Sequence, residues 1–175
     1  MAPNFFDLSY LASGTPLQRK GLEALKASGV MDLLKDYDPV LAGTLPLDLF
    51  IKGSDLDILC FATDLTLLEN SWTKNFVHQI GYEVHLKSLS GISSLIARFS
   101  YKNFDFELVA QSIATRQQVA YRHMVNEFHI LEREDETFKQ EIIRLKRMGM
   151  KTEPAFAMLL TLAGDPYEAI LEYKI

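Results

Sequence analysis

The sequence predicts an α+β fold, a five-stranded mixed sheet with flanking helices and a C-terminal helical extension. Three observations predict it. Short apolar runs of strand length are confined to residues 39–109, the apolar period changes from two to about 3.6 after Ala114, and helix-start signals fall before, between and after the strand-like runs. The first element is a helix: Thr15-Pro16-Leu17-Gln18 reads as a capping box with proline at the first helical position, and Ser28-Gly29 closes or bends it. Leu22, Leu25, Val30, Leu33 and Leu34 form its expected buried stripe.

Two strands come next, at residues 39–42 and 56–61, separated by a loop that begins at Gly43-Thr44. Asp64 and Thr66, with Glu69 three residues after the threonine, mark a helix over 66–80, for which Gly81 is the expected left-handed cap. Runs at 82–89, 94–101 and 103–109 are joined by Ser90-Gly91 and Lys102-Asn103, connections short enough for hairpins. They predict an antiparallel meander. Thr115 to Gln118 reads as a second capping box, opening a helix whose stripe is Tyr121, Met124, Val125, Phe128 and Leu131. A charged helix over 134–147, one opened by Pro154 and a short one begun by Asp165-Pro166 complete the order. The whole reads as one domain, with a core over 1–113 and a helical extension over 114–175.

Composition narrows the function classes. Hydrophobic residues make up 48% and charged residues 23% of the 175, the ordinary globular balance. The start, MAPNFFDLSY, has no basic region followed by an apolar one, and no apolar run is long enough to span a bilayer, so neither secretion nor membrane insertion is expected. The single cysteine, Cys60, suits a reducing compartment, and the cytoplasm is the expected location. A net charge of −5 argues against long nucleic acid as a partner, because such binders cluster Lys and Arg against phosphates. The sequence says nothing of oligomeric state.

The chemistry concentrates in GTLPLDLFIKGSDLDIL, residues 43–59. Side chains alternate along a strand, so Asp55 and Asp57 point one way while Leu56, Ile58 and Cys60 point the other. Two carboxylates in one small volume repel, and a hard, oxygen-preferring cation such as Mg²⁺ relieves that repulsion. Gly43 lets a phosphate approach the backbone, and the hydroxyls of Thr44 and Ser54 add donors. A third carboxylate commonly completes such a site, and the strand over 103–109 supplies Asp105 and Glu107 on one face.

Gly43-Thr44, ten intervening residues and Asp55-Leu56-Asp57-Ile58 resemble the motif of the nucleotidyltransferase superfamily. Ser54-Asp55-Leu56-Asp57 is especially similar to the minimal and aminoglycoside nucleotidyltransferases. The resemblance implies a nucleotidyltransferase-like fold and a magnesium-dependent enzyme that moves a nucleoside monophosphate from ATP or another NTP to a hydroxyl of a small molecule or protein. It implies Asp55 and Asp57 as metal ligands, Gly43 and Thr44 as the phosphate-contacting pair, and Glu107, with Asp105 as substitute, as the third acid. Threonine stands where the superfamily usually has serine, and the arginine often found soon after that serine is missing. PVLAGTLPLD, QQVAYRHM and MKTEPAFAMLLTLAGDPY further resemble a bacterial family of domains of unknown function within that superfamily. The alternative is an inactive member, serving as a nucleotide-binding or protein-interaction module.

Other polar groups rank lower. Arg116, Arg122 and His123 can reach a phosphate, but a solvated helix face with His123 pairing Glu127 is the favoured expectation. Lys151-Thr152-Glu153 is expected to cap the helix at Pro154. His78, His85, His129 and Cys60 lack zinc-ligand spacing, and no Walker loop, dinucleotide fingerprint or nucleophile elbow is present.

Overall fold

Thr15 and Gln18 form the expected capping box: the Gln18 N–H donates to the Thr15 hydroxyl and the Thr15 N–H donates to Gln18 Oε1 at 3.0 Å. They start α1, Pro16–Ser28, which Gly29 closes in the left-handed conformation at φ 66°. The computed structural model describes residues 3–89 and 91–174, so Ser90 of the expected Ser90-Gly91 connection lies outside the described residues. Leu22 and Leu25 of α1 are buried, as are Val30 of the one-turn α2, Val30–Leu33, and Leu34. Leu33 leaves the expected stripe and is 46% exposed, because the left-handed Gly29 breaks the helix and resets its phase.

Strands β1, Val40–Ala42, β2, Asp55–Phe61, β3, Ile80–Leu89, β4, Ile92–Tyr101, and β5, Phe104–Gln111, form one sheet in the order β1-β2-β5-β4-β3. Only β2 and β5 pair in parallel, and β3, β4 and β5 make the meander. Lys102 and Asn103 both adopt positive φ, 49° and 63°, the twist that suits a two-residue hairpin.

Between β2 and β3 lies α3, Leu65–Phe76, whose first turn is held by the Asp64 carboxylate accepting from the Leu67 N–H at 2.9 Å. It stops short of the expected end at Ile80. Gly81 does take positive φ, 69°, but it sits inside β3, where the pairing register with β4 shifts between Ile80 and Glu83. The glycine therefore serves a strand irregularity and not a helix cap.

The meander leads into α4, Val119–Leu131, after a 3-10 turn over Thr115–Gln117. The second capping box does not form. Thr115 donates its hydroxyl to Asp38, and Gln118 Nε2 donates to the Cys60 carbonyl at 2.7 Å, so both side chains tie the helix entrance to the sheet and to the segment before β1. Long-range partners win over the local cap. Then follow α5, Glu136–Arg147, α6, Thr152–Leu159, and α7, Pro166–Glu172.

The sheet carries a core on each face. Leu56, Ile58, Phe106 and Leu108 face α1 and α3, where Trp72 and Phe76 are buried, while Leu59, Val109, Val40 and Ala42 face Met124, Ile142 and Phe156 of the later helices. Among the described residues no helix is long and apolar enough to cross a membrane.

Candidate active site

The loop after β1 is pinned before it can serve a site. Gln18 Nε2 donates to the carbonyls of Leu45 and Pro46, Asp48 accepts from the Thr15 hydroxyl and from Lys139, each at 2.7 Å, and buried Lys146 donates to the Leu49 carbonyl at 2.8 Å. Gly43, at φ 70°, starts this loop against β2. A Cβ there would lie 2.0 Å from Asp57 Oδ2, so only glycine lets backbone and carboxylate approach this closely.

Asp55 and Asp57 share a face of β2, and the parallel pairing sets Asp55 opposite Asp105 and Asp57 opposite Glu107. The second rung continues across the sheet: Ala42, Asp57, Glu107, Arg98 and Glu83 stand side by side on five strands. On it the Arg98 Nε donates to Glu107 Oε2 at 2.6 Å, with a second, closer contact from Nη2, and Arg98 Nη1 lies 3.8 Å from Glu83. Glu107, the expected third acid, is thus already paired with Arg98. Among the described residues no three His, Cys, Asp or Glu side chains are drawn into a metal-holding group.

These residues form one wall of a cavity of about 600 Å³, and Gly43, Thr44, Ser54, Asp55, Asp57 and Glu107 all line it. Ser54 also closes the turn before β2, its hydroxyl accepting from the Ile51 N–H at 3.2 Å. Asp105 does not line the cavity; it is exposed and accepts from the Ser100 hydroxyl. Arg116 lies over the Phe6 ring, 4.1 Å from its centre, and Arg122 points to solvent, so neither reaches the acids.

The opposite wall belongs to the helical extension, and here the expectations change. His123 is buried, with Nε2 2.8 Å from the Tyr167 carbonyl and Nδ1 3.6 Å from Glu153, and it does not pair Glu127 on a solvated face. Packing of α7 over α4, with Glu153 of α6 reaching His123, covers that face. Asn126 donates to the carbonyls of Ile170 and Leu171 near the end of α7. Lys151 occupies the cap position of α6 without a side-chain cap bond, and Lys151, Thr152 and Glu153 line the cavity. Glu127 and Lys146 line it too.

Electrostatics follow from this crowding. Burial, then Glu107 and Asp55, push the Asp57 carboxyl up to about 8, and burial with Glu107 and Asp105 raises Asp55. Burial holds Lys146 down to about 8 against the pull of Glu127, Glu153 and Asp57, and burial drives Glu127 well above the usual carboxylate range. An oxygen-liganded divalent cation fits Asp55 and Asp57, because it would offset both burial and repulsion.

Sequence reasoning missed Arg98, Lys146 and the burial of Glu127, and it gave Lys151-Thr152-Glu153 to a helix cap where they line the cavity. Arg98 leaves a trace, a lone charge in the apolar run LIARF. Lys146 leaves none, since α5 also carries Lys139, Arg144 and Arg147 and reads as solvated throughout.

Solved structures share this architecture. The chain matches the RNA terminal uridylyl transferase Cid1 with a TM-score of 0.54 at 13% identity over 79% of this chain and 45% of that one. It matches the GLD-2/RNP-8 complex at 0.54 and 16% over 87% and 60%, and the polymerase core of TRAMP at 0.52 and 14% over 93% and 50%. The fold is therefore the nucleotidyltransferase fold, and the chain spans about half the length of the solved chains it resembles. The profile of the family described as "Domain of unknown function (DUF4269)" matches residues 23–173, and the chain belongs to that family. No curated protein matches the sequence.

Proposed function

We propose that the protein is a magnesium-dependent nucleotidyltransferase, moving a nucleoside monophosphate from ATP or another NTP to a hydroxyl of a small molecule or protein. One observation carries the reading: Asp55, Asp57 and Glu107 share a sheet face at a cavity whose edge is the close-packed Gly43-Thr44 turn. Asp55 and Asp57 would hold magnesium, which when bound supplies charge neutralisation at the phosphates and polarises them for attack. Thr44 and Ser54 would donate hydroxyls to phosphate oxygens. Lys146 and Lys151, on the opposite wall, would take the place of the missing loop arginine; Lys146 uses one of its three donors on Leu49 and keeps two. The acceptor oxygen would bond to the α-phosphorus as the bond to the bridging oxygen breaks and pyrophosphate leaves. Its proton would pass to Glu107, in register with Asp57.

Cid1 is described as an RNA terminal uridylyl transferase, but the net charge of −5 here favours an acceptor other than long RNA. The pairing of Glu107 with Arg98 favours a second reading, a nucleotide-binding module without transfer. Label transfer from radiolabelled NTPs to acceptors in a cytoplasmic extract separates the two. Glu107→Gln should lower transfer by about 10²–10⁴-fold, whereas Asp105→Asn, whose carboxylate lies outside the cavity, should change it little. The opposite ranking would overturn the assignment of the third acid.

A further inference from the structure

We propose that the protein forms a two-fold symmetric dimer in which the β3 edges of two copies pair in antiparallel fashion about an axis through His85. Strand β3 is the outer strand of the sheet, ten residues long, whereas the other edge, β1, has three. Leu89 stands opposite Ile92 across a two-residue connection. In such a hairpin the flanking residues exchange hydrogen bonds, so Leu89, Lys87, His85 and Glu83 bond inward to β4. The backbone groups of Val84, Leu86 and Ser88 are then directed outward as donors and acceptors, while the Tyr82 N–H already donates to the Gln79 carbonyl at 3.3 Å.

The side chains of this edge are complementary to themselves. With the axis at His85, Glu83 of each copy faces Lys87 of the other, and Val84 faces Leu86. Moving the axis one residue loses the match: Lys87 then faces Gly81, or Glu83 faces Leu89. A lysine on an edge strand ordinarily keeps other strands away, because pairing would confine its charge. Here that charge meets a carboxylate, and a cross-strand pair of opposite charges is favourable. Glu83, with 48% of its side chain exposed, ends the rung that runs from Asp57 through Glu107 and Arg98, so Lys87 of the second copy would continue the alternation of sign from Arg98 outward.

On the other face, Tyr82 and Val84 pack against the core beneath α1 and α3, while Leu86 beside them is 52% exposed. Pairing would bring Leu86 against Val84 of the second copy and extend that apolar surface across the axis. Ile80 of β3, Leu67 of α3 and Val77 just after α3, among the most exposed apolar residues, lie nearby, since α3 packs over β3 and β4. The register irregularity falls between Ile80 and Glu83, outside the pairs at the centre of the interface. No residue of β3 lines the cavity, so a ten-stranded dimer leaves it open.

Light scattering after size exclusion tests this on the full chain, with a mass of about twice 19.9 kDa expected for the wild type. Lys87→Glu sets like charges opposite each other and should halve the mass, and Glu83→Lys combined with Lys87→Glu should restore the dimer, because the pair is only reversed. Circular dichroism melting checks that each variant is folded. Amide exchange should show Val84 and Leu86 protected in the wild type and released in Lys87→Glu. A wild type that is monomeric at every concentration up to its solubility limit overturns the proposal. So does a dimer indifferent to Lys87→Glu, or a folded double variant that stays monomeric.

Discussion

Asp57 pairs in register with Glu107, touches the Gly43 turn and is held up to about 8, which ties stability to pH in a defined direction. In the unfolded chain an aspartate titrates near about 4. Between those values the native state binds more protons, so the stability contributed by the protonated form is complete below about 4 and is lost as pH rises through about 8. Without divalent cation, the wild type should therefore melt at falling temperatures from pH 5 to pH 8. Asp57→Asn should flatten that slope and raise the melting temperature at pH 8 by roughly 2–4 °C, which corresponds to about 1 kcal/mol. A slope unchanged by the substitution would place the strain elsewhere. The acids themselves were legible, because strand alternation alone puts Asp55 with Asp57 and Asp105 with Glu107. Strand alternation alone does not separate the later two, of which the resemblance favoured Glu107, since their surroundings depend on Arg98 reaching Glu107 and Ser100 reaching Asp105 from the neighbouring strand.

At the scale of elements, two glycines with nearly the same φ do different work. Gly43 and Gly81 sit at 70° and 69°, but a Cβ at Gly43 meets Asp57 while one at Gly81 meets nothing within 4 Å. Gly81→Ala should cost about 1 kcal/mol from the left-handed backbone alone. Gly43→Ala adds a clash with a carboxylate and should cost about 3 kcal/mol, and urea midpoints measure the difference. Equal losses would mean that Asp57 moves aside freely. A second contrast tests the break in phase at Gly29: Leu34→Ala should cost about 2–5 kcal/mol, and Leu33→Ala less than about 0.5 kcal/mol. Elements governed by local chemistry were readable, such as the Thr15–Gln18 cap and the Lys102-Asn103 hairpin. Thr115 and Gln118 carried the same local signal and misled, because Asp38 and Cys60, distant in sequence, offered them better partners.

Over the whole molecule, the cavity joins the turn at Gly43, the acids of β2 and Glu107 of β5 to Lys146, Lys151 and Glu153, about a hundred residues after the turn and β2 and about forty after Glu107. No spacing rule spans that distance, which is why the acidic wall was legible and the basic and helical wall was not. Under the proposed function, the cavity between those walls would give a triphosphate cations on one side and carboxylates for magnesium on the other. A ligand that binds only the native state stabilises it with the logarithm of its concentration over its dissociation constant. The most direct test is therefore the melting temperature with ATP and Mg²⁺, repeated with each of the other common triphosphates. At about a hundredfold excess over the dissociation constant, nucleotide binding at this site predicts a gain of roughly 2.7 kcal/mol, a rise of several degrees that EDTA or Asp57→Asn abolishes. A wild-type protein whose melting temperature shows no metal-dependent rise with any of the four triphosphates would contradict it.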